Sequence, residues 1–169
     1  MKVRCAKKED IKQIEELYGL VSDTMQESAF DIGWKRDIYP SKEMIIFDIN
    51  QETLYLLEKD EIVIGAVVLN HDYDSCYQNI YWQINAEDEE VMIMHRFCIH
   101  PHYRGCGKVL LKQIIHIAQK QNQKAIRLDV LSSNLPAIHL YEKCGFLLQG
   151  KQTMNYGKLC IACLYEKLL

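Results

Sequence analysis

The residues best suited to chemistry lie in a short glycine-rich stretch, Arg104-Gly-Cys-Gly-Lys-Val109. It falls between a strand-like and a helix-like segment, where unpaired backbone N–H groups and the positive end of a helix converge. Two glycines let a ligand approach the backbone closely, and Arg104 and Lys108 add positive charge. The stretch therefore suits a phosphate or a pyrophosphate. Taken alone, it is equally well explained as a strand-to-helix turn that needs glycine for its geometry.

A second stretch of interest is Asn134-Leu-Pro-Ala-Ile-His-Leu-Tyr141-Glu-Lys-Cys-Gly145-Phe146. Asn134 is a typical helix N-cap, and proline is tolerated in the first helical turn. Asn134 and Tyr141 are seven residues apart, so a helix of 3.6 residues per turn places them on one side. Composition alone favours a plainer interpretation, in which Asn134 only caps the helix and Tyr141 only fills the core.

Taken together, in this order and separation, the two stretches resemble the signatures of the GNAT superfamily of acyl-CoA-dependent N-acetyltransferases. Arg104 and Gly107 match the family pattern Arg/Gln-x-x-Gly-x-Gly/Ala, which opens the helix after the fourth strand. The family's downstream pattern, Asn-x-x-Ala…Leu-Tyr-x-x-x-Gly-Phe, is matched by Asn134, Ala137, Leu140, Tyr141, Gly145 and Phe146. The motifs cover about residues 91–150. Val109 departs from the family, which has Gly or Ala at that position.

The resemblance implies direct transfer of an acetyl group from acetyl-CoA to a primary amine. The fourth strand, around Phe97, Cys98 and Ile99, would part from the fifth and pair its edge with the pantetheine amides. The pyrophosphate would accept hydrogen bonds from the backbone N–H groups of Arg104, Gly105, Cys106, Gly107, Lys108 and Val109. Asn134 would hold the pantetheine arm. Tyr141 would act as general acid toward the leaving thiolate.

The general base is less clearly indicated. His95 lies on the strand that leads into the site, and the acidic run Glu87-Asp-Glu-Glu90 precedes it. His95 could instead be a hydrogen-bonded core histidine, and the acidic run a solvated entry to the strand. His100 and His102 have no carboxylate or Cys partner at ligand spacing, so we expect solvated histidines and no metal.

Two aromatic groups have open interpretations. Trp34 and Tyr39 lie between the first two helices, where they could clamp the acceptor or pack over the sheet edge. Tyr73, Tyr77, Tyr81 and Trp82 could line an acceptor pocket or a dimer face. Asp129 could face the cleft or pair with Arg127 two residues earlier.

The elements that must position these residues follow from hydrophobic periodicity. Apolar residues at three- and four-residue steps predict a helix over residues 8–28, and Ser41 is expected to cap a second helix after Pro40. Alternating or continuous apolar runs predict strands at 54–58, 62–69, 91–99, 125–131, 146–152 and 159–167. The predicted order is β-α-α-β-β-β-α-β-α-β-β. This is an α/β fold of GNAT type, with a central, mostly antiparallel sheet and helices on both faces.

Length and composition bound the function. The 169 residues carry a formal net charge of −3, with 49% hydrophobic residues. We expect one N-acetyltransferase domain over residues 1–169 and no nucleic-acid partner. No signal-like start and no apolar run near the roughly 18 residues of a membrane span are present. The seven cysteines include one Cys-x-x-Cys pair, Cys160 to Cys163, within an apolar run, so we expect reduced thiols in a cytoplasmic protein.

The predicted function is therefore acetyl-CoA-dependent N-acetylation of a small-molecule amine, with a homodimer possible. Two alternatives remain. The first is a protein or peptide N-acetyltransferase, which needs an open groove for an extended chain. The second is a non-catalytic acyl-CoA-binding module, which the departure at Val109 keeps in consideration.

Overall fold

The computed structural model describes residues 1–26, 28–30, 32–155 and 159–169. Strands and helices follow the predicted order. The strands are β1 (Lys2–Cys5), β2 (Leu54–Lys59), β3 (Ile62–Asn70), β4 (Val91–Ile99), β5 (Ala125–Leu131), β6 (Leu147–Asn155) and β7 (Leu159–Leu168). The α-helices are α1 (Ile11–Gln26), α2 (Lys42–Asn50), α3 (Gly107–Lys120) and α4 (Leu135–Lys143). Short 3₁₀ helices cover Lys8–Asp10, Ser75–Asn79 and Asp88–Glu90.

The strands form a mixed sheet in the order β1-β2-β3-β4-β5-β7-β6. The β1–β2, β2–β3, β5–β7 and β6–β7 pairs are antiparallel, and β4–β5 is parallel. This confirms the prediction of a mixed, mostly antiparallel sheet. Two compact units divide the chain: unit 1 comprises Met1–Leu69 and Arg96–Leu110, and unit 2 comprises Asn70–His95 and Leu111–Leu169. A single acetyltransferase domain over residues 1–169 stays a prediction.

The two helices of unit 1 form for the reasons the sequence indicates. The apolar stripe of α1 is buried at Ile14, Leu17 and Val21. The side chain of Ser41 accepts a hydrogen bond from the backbone N–H of Met44, which confirms Ser41 as the N-cap of α2. Both helices pack on buried residues of β2 and β3, among them Leu54, Leu56, Val63, Ala66 and Val68.

The strands of unit 1 turn and pack tightly. Asp60 and Glu61 join β2 to β3 with φ values of 51° and 65°, the positive pair that a two-residue hairpin loop of type I′ requires. All residues of β3 from Val63 to Leu69 are buried, which confirms a strand covered on both sides. A Cβ at Gly65 would lie 3.2 Å from the carbonyl oxygen of Cys98, so glycine permits this close approach to β4.

An ion pair at the start of the chain makes stability depend on pH. The Arg4 guanidinium donates to both carboxylate oxygens of Asp10, at 2.7 and 2.8 Å. The hydrogen bond from Arg4 lowers the pKa of Asp10, against a smaller opposing effect of burial. The pair therefore stabilises the fold above about pH 4, the range in which Asp10 would be ionised in the unfolded chain.

We expect Asp10→Asn to lower the free energy of unfolding by roughly 1–3 kcal/mol at neutral pH. The difference between variant and native protein should shrink as pH falls through the lowered pKa of Asp10, because the native carboxyl then becomes protonated. Urea unfolding at a series of pH values measures this difference. Glu16→Gln, on the exposed side of α1, is the matched control and should show no such pH dependence. A pH-independent difference for Asp10→Asn would contradict the argument.

In unit 2, the segment between β3 and β4 covers part of the sheet. Its side chains Cys76, Ile80, Trp82, Ile84 and Ala86 pack against a buried cluster of Tyr77, Val91, Ile93, Ala125 and Leu164. The ladder between β4 and β5 runs from Val91↔Ala125 to Ile93↔Arg127. On its other side, β5 pairs with β7 over its whole length. Within the described ranges, none of the helices is long and apolar enough to cross a membrane.

Candidate active site

The glycine-rich stretch forms the loop that leads into α3 in unit 1. The loop turns at Gly105, whose φ of 85° favours glycine, and a Cβ built there would meet nothing within 4 Å. Arg104, Gly105 and Lys108 are exposed, whereas Gly107, the first residue of α3, is buried. The strand-to-helix placement predicted from the sequence is confirmed, and the loop is open to solvent at its turn.

The backbone N–H groups of this loop are of two kinds. Cys106 donates to the carbonyl oxygen of Tyr103 at 3.3 Å, and Val109 donates to that of Cys106 at 3.0 Å. In the described part of the chain, the N–H groups of Arg104, Gly105, Gly107 and Lys108 have no acceptor. Together with the positive end of α3, these four N–H groups are a donor set suited to a pyrophosphate. The loop therefore has the hydrogen-bond donors that the phosphate groups of acetyl-CoA would need.

The loop also contains a cysteine, Cys106. The Cys106 thiol is half-buried and lies 3.7 Å from the sulfur of Met1. Its neighbours in sequence are Gly105 and Gly107.

The predicted pantetheine strand is the second half of β4. Phe97 and Ile99 are half-buried, and Cys98 between them is buried. Burial raises the pKa of Cys98 to about 12, so its thiol is protonated at neutral pH. A protonated, buried thiol is a poor nucleophile. This agrees with a transfer that needs no cysteine intermediate.

Arg96, just before these residues, is anchored by a buried ion pair that could not be recognised from the sequence. Its φ of 47° lies in the left-handed region, which is unfavourable for a non-glycine residue. The guanidinium of Arg96 donates to Asp48 of α2 at 2.6 Å, with side chains 10% and 5% exposed. Tyr18 of α1 donates its hydroxyl to the Arg96 carbonyl at 3.4 Å. The one sequence signal was the carboxylate of Asp48 inside an apolar run.

The sequence left open whether Trp34 and Tyr39 pack against the sheet or contact a ligand, and the structure contains features of both arrangements. Trp34 packs against the core of unit 1 and makes edge contacts with Tyr18 and Tyr39, with ring centroids 5.5 and 6.1 Å apart. Tyr18 and Tyr39 also line a cavity of about 220 Å³ between α1 and residues 35–42. The aromatic residues therefore pack on the core, and two of this cluster also face a pocket large enough for a small ligand.

In unit 2, Asn134 and Tyr141 are placed by α4. Asn134 accepts a hydrogen bond from the backbone N–H of Ala137 at 3.3 Å, which confirms it as the N-cap. Tyr141 is buried, and its ring contacts Phe146 with centroids 5.8 Å apart. The backbone carbonyl of Tyr141 accepts from Cys144 and Phe146 at the end of the helix. Their roles toward pantetheine and thiolate stay predictions.

His95 is held by hydrogen bonds within unit 2. Its Nε2 lies 3.0 Å from Asn70 Oδ1 and 2.9 Å from the carbonyl oxygen of Asp72. A carbonyl oxygen can only accept, so this bond requires the proton on Nε2. Basicity of the neutral ring would then reside on Nδ1. The arrangement matches the hydrogen-bonded histidine considered from the sequence and leaves the role of His95 as base a prediction.

The acidic run before β4 is also engaged locally. Asp88 accepts from the hydroxyl of Tyr73, and Glu90 pairs with Lys124 at 2.6 Å. Glu90 also accepts from the backbone N–H of Glu87, which closes the short 3₁₀ helix. These contacts support a structural role at the entry to β4.

Two further expectations concern Asp129 and metal binding. Asp129 accepts a hydrogen bond from Tyr77 at 2.7 Å, whereas Arg127 pairs with the buried Glu166 at 2.9 Å.

His100 and His102 contact each other with ring centroids 5.3 Å apart. Burial, and to a smaller extent the charge of His102, lowers the pKa of His100. Over the residues described, no cluster of three or more His, Cys, Asp or Glu side chains is arranged to hold a metal.

The order of strands and helices and the glycine-rich loop before α3 are those expected of an acetyltransferase. The family model described as the Acetyltransferase (GNAT) family matches residues 14–146. This chain belongs to the GNAT acetyltransferase family, as its sequence motifs predicted.

Individual relatives are more distant. A spermine/spermidine N(1)-acetyltransferase of Bacillus subtilis is 35% identical over 71 residues, which are 40% of this chain and 47% of that protein. The match thus spans about half the length of this relative. An acetyltransferase of the GNAT family from Streptococcus agalactiae has a TM-score of 0.84 at 22% identity, covering 99% of this chain and 95% of that one. A Salmonella typhimurium structure solved with its cofactor acetyl-CoA has a TM-score of 0.72 at 17% identity, covering 100% and 94%. The two structures support the fold.

Proposed function

We propose that this chain transfers the acetyl group of acetyl-CoA directly to a primary amine of a small molecule. The observation that carries the proposal is the loop before α3. There, the N–H groups of Arg104, Gly105, Gly107 and Lys108 have no acceptor within the described residues, and two cationic side chains flank them. The family membership and the fold shared with a structure solved with acetyl-CoA point to the same co-substrate.

Each residue has a distinct task in this proposal. The four N–H groups and the side chains of Arg104 and Lys108 hold the pyrophosphate. Phe97, Cys98 and Ile99 offer a strand edge to the pantetheine amides, and Asn134 holds the pantetheine arm. Val109 contributes its side chain alone, because its N–H is already bonded to the Cys106 carbonyl oxygen. Cys106 supplies a small side chain between the two glycines.

The transfer step requires one proton to leave the amine and one to reach the sulfur. The neutral amine nitrogen attacks the thioester carbonyl carbon, the carbon–sulfur bond breaks, and Tyr141 gives its phenolic proton to the departing sulfur. A base removes the extra proton of the attacking amine, and His95 is the candidate for this base. No covalent intermediate on the enzyme is needed.

The acceptor class is the finer part of the proposal. The Bacillus subtilis relative acts, by its name, on spermine and spermidine. We propose an aliphatic amine of similar chemistry for this chain, and the cavity of about 220 Å³ beside Tyr18 and Tyr39 suits a small ligand better than an extended peptide. A screen of diamines, polyamines and N-terminal peptides, with detection of released thiol, distinguishes these acceptors.

Replacement of Gly107 tests the co-substrate. We expect Gly107→Glu to weaken acetyl-CoA binding at least tenfold, about 1.4 kcal/mol, because it places a carboxylate among the N–H groups that hold the pyrophosphate. A carboxylate in the first turn of a helix interacts favourably with the helix dipole, which offsets part of the cost of adding a charged side chain at this buried position. Calorimetric titration with acetyl-CoA and with CoA measures the effect.

The matched control is Gln113→Glu, which adds the same charge to an exposed position further along α3. We expect its affinity for acetyl-CoA to stay within about twofold of the native value, since the added charge lies beyond the first helical turn. Equal weakening in both variants would show a general charge effect and no specific site. Absence of binding to the native protein would overturn the co-substrate and the function together.

Two further parts of the proposal concern location and assembly. We propose a cytoplasmic enzyme, supported by the seven free cysteines.

We also propose a homodimer, supported by exposed apolar side chains at Leu147, Leu148, Leu159 and Ile161 on β6 and β7. Sedimentation velocity of the reduced protein over a range of concentrations tests the dimer.

A further inference from the structure

A second cavity, within unit 2, has a lining that the proposed transfer reaction does not use. It has a volume of about 150 Å³ and is bordered by three aromatic residues, Tyr73, Tyr77 and Trp82, and by the charged side chains of Asp88 and Arg127. A cavity of this volume accommodates about one benzene-sized molecule. Its lining comes from the segment that joins β3 to β4 and from β5.

The aromatic rings of this cavity form a continuous surface. Tyr73 and Tyr77 are stacked, with centroids 5.8 Å apart and planes inclined by 29°. The rings of Tyr77 and Trp82 follow at 5.4 Å. Trp82 donates its Nε1–H to the carbonyl oxygen of Tyr77, which fixes the orientation of the indole. Adjacent ring faces carry negative electrostatic potential, to which cations are attracted.

One of these rings already holds a cation. The guanidinium of Arg127 lies over the Trp82 ring, 4.3 Å from its centroid. Arg127 is also paired at 2.9 Å with Glu166, whose side chain is completely buried. Because this carboxylate offsets the charge of Arg127, the guanidinium opposes a second cation in the cavity only weakly.

The cavity also contains a carboxylate. Both oxygens of Asp88 accept from the Tyr73 hydroxyl, at 3.0 and 2.9 Å. This hydrogen bond, together with burial, raises the pKa of Tyr73, so its phenol is neutral at physiological pH. On the opposite ring, Tyr77 donates its hydroxyl to Asp129 at 2.7 Å. Both tyrosines are therefore held by carboxylates, which increase the negative potential around the rings.

We propose that this cavity binds a small alkylammonium cation, with its alkyl chain against Tyr73, Tyr77 and Trp82 and its ammonium group directed to Asp88. Aromatic faces beside a carboxylate are the combination that recognises such cations, and a neutral molecule of the same shape would gain no electrostatic attraction there. The site does not depend on the proposed transfer reaction, because its residues have no task in that reaction.

Tryptophan fluorescence tests the proposal directly. The chain has two tryptophans, so Trp34→Phe leaves Trp82 as the single reporter. We expect propylammonium chloride to change Trp82 emission saturably at constant ionic strength, and propan-1-ol to produce no saturable change. Calorimetric titration of the native protein with propylammonium gives an independent affinity. No saturable binding in either measurement, or equal affinity for the alcohol, would overturn the proposal.

Substitution of the carboxylate tests its role. We expect Asp88→Asn to bind propylammonium at least tenfold more weakly, while the asparagine oxygen can still accept from Tyr73. Glu89→Gln removes the same charge from the neighbouring exposed residue and should stay within twofold of the native affinity. Equal affinities in Asp88→Asn and native protein would contradict the assignment. If Asp88→Asn does not fold, Tyr73→Leu tests the same cavity, because it removes one of the aromatic faces that would contact the cation. We then expect propylammonium to bind Tyr73→Leu more weakly than native protein, and an unchanged affinity would contradict the proposal.

Discussion

Replacement of Asp48 by alanine is expected to lower the free energy of unfolding by about 3–5 kcal/mol. Its carboxylate lies 2.6 Å from the guanidinium of Arg96, and both side chains are almost fully buried. Without Asp48, Arg96 would keep its charge inside unit 1, since desolvation of a guanidinium does not neutralise it. Removing one partner of a buried pair is costly because the other charge is left uncompensated. Urea unfolding of the purified variant measures the loss.

The chain offers a closely matched control for this substitution. Asp23 pairs with Arg36 at the same distance, 2.6 Å, but the two side chains are 52% and 44% exposed. We expect Asp23→Ala to lower the free energy of unfolding far less than Asp48→Ala, because water solvates the arginine once its partner is removed. Similar losses in the two variants would show that burial of the Asp48–Arg96 pair has no energetic consequence.

The double variant Asp48→Leu/Arg96→Met separates charge from packing. Replacing a buried ion pair by apolar residues is often neutral or stabilising, so the double variant should recover most of the stability lost in Asp48→Ala. Urea unfolding of the double variant measures this recovery. A double variant no more stable than Asp48→Ala would show that the loss comes from packing and not from the uncompensated charge of Arg96.

Much of the fold could be predicted because it depends on local sequence. The three- and four-residue spacing in α1 and the apolar runs of β3 and β4 each correspond to one buried face or one covered strand. Ser41 and Asn134 cap the helices that follow them, because the side-chain oxygen of an N-cap residue accepts a hydrogen bond from the backbone N–H three residues later. Such features involve residues close in sequence and need no knowledge of topology.

The contacts that define the interior chemistry could not be predicted in this way. Asp48 and Arg96 are 48 residues apart, and Tyr77 and Asp129 are 52 residues apart. Arg127 selects Glu166 on β7, although Asp129 is only two positions away in sequence. The β5–β7 register, which places Arg127 opposite Glu166, decides this choice. Periodicity identifies strands but does not specify which strands become neighbours or their register.

The geometry of the glycine-rich loop was predictable because it depends on the backbone. The positive φ of Gly105 and the N–H groups at the start of α3 follow from the glycine-rich spacing of this loop. Which of these N–H groups form hydrogen bonds and which have no acceptor was not predictable, because this depends on the turn that Tyr103 and Cys106 form. The sequence suggested six equivalent donors, whereas Cys106 and Val109 use their N–H groups in hydrogen bonds within the loop.

The second large effect concerns the proton given to the leaving sulfur. We expect Tyr141→Phe to lower kcat by roughly 10²-fold or more, because a positioned general acid contributes about that factor. Acetyl-CoA affinity should change by less than about twofold, since phenylalanine keeps the ring that contacts Phe146. Steady-state kinetics with the amine acceptor, together with calorimetric titration, separates the loss of kcat from the unchanged binding.

Tyr165→Phe is the control that distinguishes proton transfer from structure. Tyr165 is also a buried tyrosine of unit 2, and its hydroxyl donates to Glu142 at 3.0 Å. Burial, with the nearby Glu142, raises the pKa of Tyr165 to about 12, so this phenol is fully protonated at neutral pH. Its removal should lower stability by about 1 kcal/mol through a lost hydrogen bond and leave kcat within a few-fold. If both variants lose kcat equally, Tyr141 contributes to the fold and the proton reaches the sulfur from another donor.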